Sequence, residues 1–184
     1  MRPPRIPPQL KADPFRGADA VRAGLLTRRQ LAGRSWRRLF PDVYVHCDVP
    51  VDHALRARAA TLLLTDAVVT GASAAVLWGV PLAHTWADVE VTVPPTAHPR
   101  RIPGMRVRRA EVAAHDVLRR FDVPVTSAEA TAVRLAAALP HVAAVVAVDR
   151  MIATGFVSLA TVRSVCGGRP RSRIGTCQGG LQPG

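Results

Sequence analysis

The chain has 184 residues, 48% of them hydrophobic, and a formal net charge of +12. Its three cysteines are too few and too scattered for a disulfide framework, and no window approaches the roughly 18 apolar residues of a membrane span. These values exclude a disulfide-stabilised secreted scaffold and a membrane-spanning protein. They predict a soluble cytoplasmic protein, and they make a polyanion the first partner to consider.

Arginine supplies almost all of the positive charge, because Lys11 is the only lysine. The chain also lacks asparagine and is rich in alanine, proline and valine, which is the composition that a GC-rich genome gives to any protein. The places where arginines cluster therefore say more about function than their total does.

The amino-terminal part of the chain predicts a flexible arm, three short helices and a strand. Residues 1–14 contain five prolines and little to bury, so we expect an extended, mobile arm. Apolar spacing predicts a helix over residues 15–24. A threonine cap and a serine cap predict further helices over residues 27–33 and 35–41. The run DVYVHCDV, residues 42–49, alternates as a strand does.

Short helices joined by a tight turn and followed at once by a strand are typical of a winged helix-turn-helix, here over residues 15–50. In this interpretation the helix over residues 35–41 is the recognition helix and the strand begins the wing. Five arginines lie in this region with no acidic residue between Asp19 and Asp42. We expect them to bind double-stranded DNA; a solvated helical face in an arginine-rich protein is the alternative. They are Arg28, Arg29, Arg34, Arg37 and Arg38.

The remainder of the chain predicts a mixed α/β domain over residues 51–166 and a disordered, glycine-rich tail over residues 167–184. The predicted class is thus α+β. The expected elements are a helix over residues 52–64, a short strand and a helix within AVVTGASAAVLWGVPL, strands at DVEVTVPP, MRVRRAEV and DVPVTS, and helices near residues 128–139, 141–154 and 158–165.

The segments ADAVRAGLLTRRQLAGRSWRRLFPDVYV, VTGASAAVLWGVPL and VEVTVPP resemble the amino-terminal region of AbiEi-type antitoxin proteins. The motif L-T-x-x-Q-L with a downstream R-L-x-x-x-V-Y-V carries the resemblance, which covers about residues 15–165. It implies a transcriptional regulator of a type IV toxin-antitoxin system that binds its own promoter and has a nucleotidyltransferase-like toxin as partner. Related actinobacterial proteins carry the same region ahead of a very-short-patch-repair-like endonuclease domain. The alternative is therefore a catalytically inactive, truncated relic of such a protein.

No catalytic constellation is complete, so we expect a non-enzymatic protein without a cofactor. A nuclease of the related kind needs a Glu-x-Lys pair, which Lys11 cannot supply. The run TGASAA partly matches the nucleophile elbow of hydrolases, but we expect Ser73 to cap a helix. Strand alternation places Asp88, Glu90 and Thr92 on one face, which leaves nucleotide binding as an alternative to a plain polar face.

A second basic surface is expected on the strand at MRVRRAEV. Arg106 and Arg108 should share one face and Arg109 should lie on the other. This surface would extend the contact with phosphates or meet an acidic partner; a plain solvent-facing strand is the alternative. No metal site is expected, because no two of the six histidines stand four residues apart, and His46 and Cys47 should point to opposite faces.

Overall fold

In the computed structural model, which describes residues 6–160, 162 and 163, the amino-terminal part of the chain forms a three-stranded antiparallel sheet. The strand order is β1-β3-β2. Two helices lie between the first and second strands in the chain. The elements are β1 (Phe15–Arg16), α1 (Gly17–Arg22), α2 (Arg28–Leu31), β2 (Trp36–Phe40) and β3 (Val43–His46).

The segment predicted as a third helix, residues 35–41, forms the strand β2, so that prediction is wrong. β2 pairs with β3 across a two-residue turn in which Asp42 has a φ of 58°. A single turn of helix is costly to nucleate, whereas a strand beside β3 gains cross-strand pairs along its whole length. Because Arg37 and Arg38 are neighbours on a strand, they leave opposite faces of the sheet.

One face of this sheet is aromatic and meets α1 and α2. The rings of Phe15 and Trp36 pack edge to face with centroids 5.0 Å apart, and Trp36 meets His46 at 5.5 Å. Beside these rings, Leu10 and Leu26 are buried in a small apolar cluster. Leu10 ends a short 3₁₀ turn, so this part of the predicted flexible arm is anchored to the sheet; residues 1–5 lie outside the described residues.

The opposite face of the sheet packs on helix α3 (His53–Leu63), which begins at an Asp52 side chain that accepts the amide N–H of Leu55 at 2.7 Å. The predicted helix over residues 52–64 is thus confirmed. Alanines of α3 join Phe40 and Val43 to the same hydrophobic core that lies under the second sheet. The division of the chain at residue 50 stays a prediction, while the hydrophobic core runs across it.

The second sheet is mixed, with the strand order β6-β5-β4-β8-β7. β5 runs antiparallel to β4 and parallel to β6, β4 runs parallel to β8, and β7 is antiparallel to β8. The elements are β4 (Val68–Val69), α4 (Gly71–Leu77), β5 (Val89–Val93), β6 (Met105–Arg109), β7 (Val117–Arg120), β8 (Val123–Thr126), α5 (Ala128–Ala138) and α6 (His141–Ala153).

The predicted α+β class is confirmed, and β1, β2 and β7 are strands that the sequence did not indicate; β1 falls at the start of the helix predicted over residues 15–24. The predicted tail over residues 167–184 and part of the predicted helix over residues 158–165 lie outside the described residues. In the described part of the chain, no helix is both long enough and apolar enough to cross a bilayer.

Candidate functional sites

A reciprocal capping box begins the short helix α2. The hydroxyl of Thr27 accepts the amide N–H of Gln30 at 3.2 Å, and the Gln30 side chain accepts the amide N–H of Thr27 at 2.7 Å. These two bonds satisfy backbone donors that a helix end otherwise leaves unpaired, which fixes a helix of only four residues. The predicted threonine cap is confirmed. Arg28 and Arg29 follow it directly and are exposed.

The five predicted DNA-binding arginines are exposed, and within the described residues none of them forms an ion pair. The acids that lie nearest in the sequence are engaged elsewhere. Asp19 pairs with Arg22 at 3.1 Å, and Asp42 pairs with Arg16 at 3.7 Å. The positive charge around α2 and β2 is therefore not compensated locally.

Arg37 and Arg38 do not lie on a recognition helix as predicted, whereas Arg28 and Arg29 lie on the preceding helix as predicted. Arg28 and Arg29 lie on α2, and Arg34 lies between α2 and β2. The other two are on β2, where each bonds a backbone carbonyl: Arg37 donates to Cys47 at 3.4 Å and Arg38 donates to Phe40 at 3.2 Å. The positive charge is thus distributed over two separate elements, the α2 helix and the β2–β3 hairpin.

Arg106 and Arg108 stand two residues apart on β6, and so share a face as predicted. In the register of the parallel pair, Arg106 lies beside Glu90 and Arg108 beside Thr92 on β5. Arg106 donates to the Glu90 carboxylate at 3.5 Å, which partly neutralises this surface.

A cavity of about 1020 Å³ opens above the same face of the second sheet. Its floor carries three buried threonines: Thr70, Thr92 and Thr126. α5 and the loop over residues 110–114 form its walls. The sequence did not indicate this site, because each of its walls comes from a different part of the chain.

Two arginines line this cavity, Arg108 from β6 and the half-buried Arg134 from α5. Burial lowers the pKa of Arg134 below its ordinary value, the charge of Arg108 lowers it further, and Glu90 opposes both effects. Gly71 lies beside this group with a φ of 60°, and a Cβ there would overlap the Glu90 carboxylate. The glycine therefore leaves room for the Glu90 side chain.

The charges of the two predicted carboxylates act on different arginines. Asp88 precedes β5, and its charge raises the pKa of the buried Arg56, although burial lowers that pKa more strongly. Glu90 pairs with Arg106 instead.

Ser73 does not cap a helix as predicted, because Thr70 is the N-cap residue and Ser73 lies inside α4. Its hydroxyl oxygen lies 2.8 Å from Nε2 of His53 and accepts the amide N–H of Glu90 at 2.8 Å. A serine bonded to a histidine is half of a hydrolase triad, but Ser73 has 0% exposure and no substrate can reach it. The pair is structural.

The side chains of His46, Cys47 and Asp48 lie together at the end of β3, with their potential ligand atoms within 4.8 Å of one another. The prediction that His46 and Cys47 point apart is wrong. Hydrogen bonding explains the cluster, because the Cys47 thiol donates to Asp48 at 3.4 Å and the Asp48 amide donates to His46 Nδ1 at 3.4 Å. Among the described residues, this is the only set of three metal-ligating side chains.

Comparison of the chain with protein-family models, with curated proteins and with solved structures finds no match. The function is therefore argued from the geometry of these sites.

Proposed function

We propose that this protein binds double-stranded DNA through a winged helix-turn-helix and acts as an antitoxin-like transcriptional regulator. Two short helices joined by a tight turn and followed by a β-hairpin are the parts of such a module. In this proposal the recognition helix is α2 and the wing is the β2–β3 hairpin. This replaces the helix that was expected over residues 35–41.

The observation that carries the proposal is the uncompensated charge on these two elements. Arg28 and Arg29 on α2 contact base edges or phosphates in the major groove, while Arg37 and Arg38 on the hairpin reach flanking phosphates on either side of it. Arg34 joins the two elements. An exposed arginine that pairs with an acid of its own chain has less to gain from a phosphate, and these five have no such partner within the described residues.

The test is fluorescence anisotropy of the purified protein with a labelled duplex from its own upstream region and with a scrambled duplex, at several salt concentrations. A sequence-specific regulator binds the native duplex at least about tenfold more tightly. Its log–log salt slope should correspond to roughly four to eight phosphate contacts. Equal, weak binding of both duplexes would contradict the proposal and favour the inactive relic of an endonuclease-bearing protein.

The resemblance to AbiEi-type antitoxins supplies the second part of the proposal, a nucleotidyltransferase-like toxin as partner. The gene next to this one should encode such a toxin, and co-expression of the two should relieve growth arrest. An unrelated neighbour, or a toxin that stays active when this protein is present, would restrict the proposal to DNA binding.

A further inference from the structure

The cavity above the second sheet has a floor of hydroxyl groups under walls that are largely apolar. Thr70 and Thr92 are buried, and their hydroxyl oxygens lie 3.1 Å apart. Two hydroxyls carry two protons, and their mutual hydrogen bond uses one of them. The other proton is left to donate, so the floor can bond an acceptor that sits above it.

Two arginines lie beside this floor: Arg108 is next to Thr92 in the register of β5 and β6, and Nε of Arg134 lies 3.7 Å from the Cβ position of Gly71, the neighbour of Thr70. Arg108 and the half-buried Arg134 are close enough for the charge of Arg108 to lower the pKa of Arg134. Within the described residues, neither guanidinium group has a hydrogen bond or an ion pair. Glu90, whose charge also acts on Arg134, forms its ion pair with Arg106. An anion between the two arginines would relieve their repulsion and give both a partner.

The cavity also has acidic and apolar lining residues. Glu111 lines it together with small apolar residues of the loop over residues 110–114. On α5, Ala130 and Val133 add an apolar wall. Carboxylates accept hydrogen bonds from hydroxyl and amino groups, and an apolar wall suits a flat ring. The lining of the cavity thus combines two arginines with a carboxylate and apolar side chains.

We propose that this cavity binds a small organic phosphate of the nucleoside monophosphate class. The phosphate lies between Arg108 and Arg134 and accepts from the threonine floor. The sugar and base lie toward Glu111 and the alanines of α5. A cavity of about 1020 Å³ has room for such a ligand, since sites for small molecules commonly occupy roughly 300–1,000 Å³. This site is separate from the DNA-binding arginines and does not depend on the proposed function.

The test measures the melting temperature and the binding isotherm of the full chain with four probes, AMP, GMP, CMP and UMP. Adenosine, inorganic phosphate and sulfate at matched ionic strength serve as controls. At least one nucleotide should raise the melting temperature more than adenosine and sulfate do. A rise that sulfate reproduces would mean general charge screening, and no rise with any nucleotide would mean an empty cavity; either result overturns the proposal.

Substitutions of single arginines test whether the nucleotide binds in this cavity. Arg134→Gln and Arg108→Gln should each weaken nucleotide binding by roughly tenfold or more, because each removes a charge-assisted contact. Arg109→Gln, from the opposite face of the same strand, is the matched control and should bind normally. Should Arg134→Gln fail to fold, Arg108→Gln decides alone, since Arg108 is exposed. Equal loss in the Arg108 and Arg109 variants, or loss only when Arg28 and Arg29 are replaced, would refute the assignment.

Discussion

His53 and Ser73 share a buried hydrogen bond, with Nε2 of the imidazole 2.8 Å from the hydroxyl oxygen. The other ring nitrogen lies 3.2 Å from the carbonyl oxygen of His84, so Nδ1 donates there and Nε2 accepts from the hydroxyl. The Ser73 oxygen also accepts the amide of Glu90. A neutral His53 thus joins α3 to α4, and Ser73 joins α4 to β5.

This network predicts acid sensitivity. Burial lowers the pKa of His53 below its ordinary value of 6.5 and the charge of Arg56 lowers it further, while the hydrogen bond to His84 opposes these effects. The unfolded chain therefore takes up the proton at a higher pH than the folded chain does. As the pH falls below 6.5, the free energy of unfolding should decrease. Urea denaturation at about pH 7.5 and about pH 5 measures it. His53→Gln should lose less stability in acid than the natural chain, and an equal loss would contradict the assignment.

Removal of the Ser73 hydroxyl should destabilise the fold by about 1–3 kcal/mol, because Ser73→Ala leaves two buried polar groups without partners. The measurement is urea denaturation at neutral pH. Thr96→Ala is the matched control, since Thr96 is exposed and its hydroxyl has no hydrogen bond within the described residues. Equal stability of the two variants would mean that water or a shifted side chain replaces the Ser73 hydroxyl.

Arg56 should be far more important to folding than Arg58, although both lie on α3. Arg56 is buried and donates to the carbonyl oxygens of Thr85 and Ala87 at 2.8 and 2.6 Å. Arg56→Met removes these bonds and should cost about 3 kcal/mol or more. Arg58→Met breaks only a partly exposed pair with Asp13 and should cost at most about 1 kcal/mol. Denaturant midpoints compare the two, and similar values would show that Arg56 has no special role.

Gly71 and Gly24 should respond differently to the same substitution. Both have positive φ, 60° and 68°, so alanine costs roughly 1–2 kcal/mol at either position. A Cβ at Gly71 also collides with the Glu90 carboxylate, whereas at Gly24 it meets nothing within 4 Å. Gly71→Ala should therefore lower the melting temperature more than Gly24→Ala. Because Nε of the cavity residue Arg134 lies 3.7 Å from the same Cβ position, Gly71→Ala should also weaken nucleotide binding more than Gly24→Ala.

Replacement of Arg28 and Arg29 by alanine should weaken DNA binding and reduce the log–log salt slope by about 1–2, because each phosphate contact contributes roughly one to that slope. Replacement of Arg37 and Arg38 should weaken binding as well. Neither double variant should change the melting temperature much, since exposed arginines contribute little to folding. Arg150→Ala, on α6, is the control. Unchanged affinity in both double variants would remove the DNA-binding assignment of these sites.

Local signals in the sequence were enough to locate most elements. The Thr27 cap locates α2, the apolar spacing over residues 52–64 locates α3, and the alternation around Tyr44 marks β3, because these signals depend on residues close in sequence. The prediction of a helix over Trp36–Phe40 was wrong because it also depended on local signals alone. The arginines and leucine of this segment suit a helix locally, but pairing with β3 decides its conformation.

The candidate sites were predictable only where one segment supplies them. The exposed arginines near α2 could be found because they are close in sequence. The cavity needs Thr70, Arg108 and Arg134, which the folding of the second sheet brings together. Likewise, 20 residues separate His53 from Ser73, and the partial elbow around Ser73 gave no sign of the histidine.

The position of α3 determines where the amino-terminal element, which we propose to bind DNA, can be cut from the rest of the chain. The valine face of the three-stranded sheet is covered by α3, which also packs on the second sheet. A fragment ending at residue 50 would therefore expose Val43 and Val45 to water. Such a fragment keeps the three-stranded sheet but lacks the helix that covers its valine face. A graft of the element onto another protein must carry residues up to Leu63, and gene fusions that keep it working should break after that helix rather than before it.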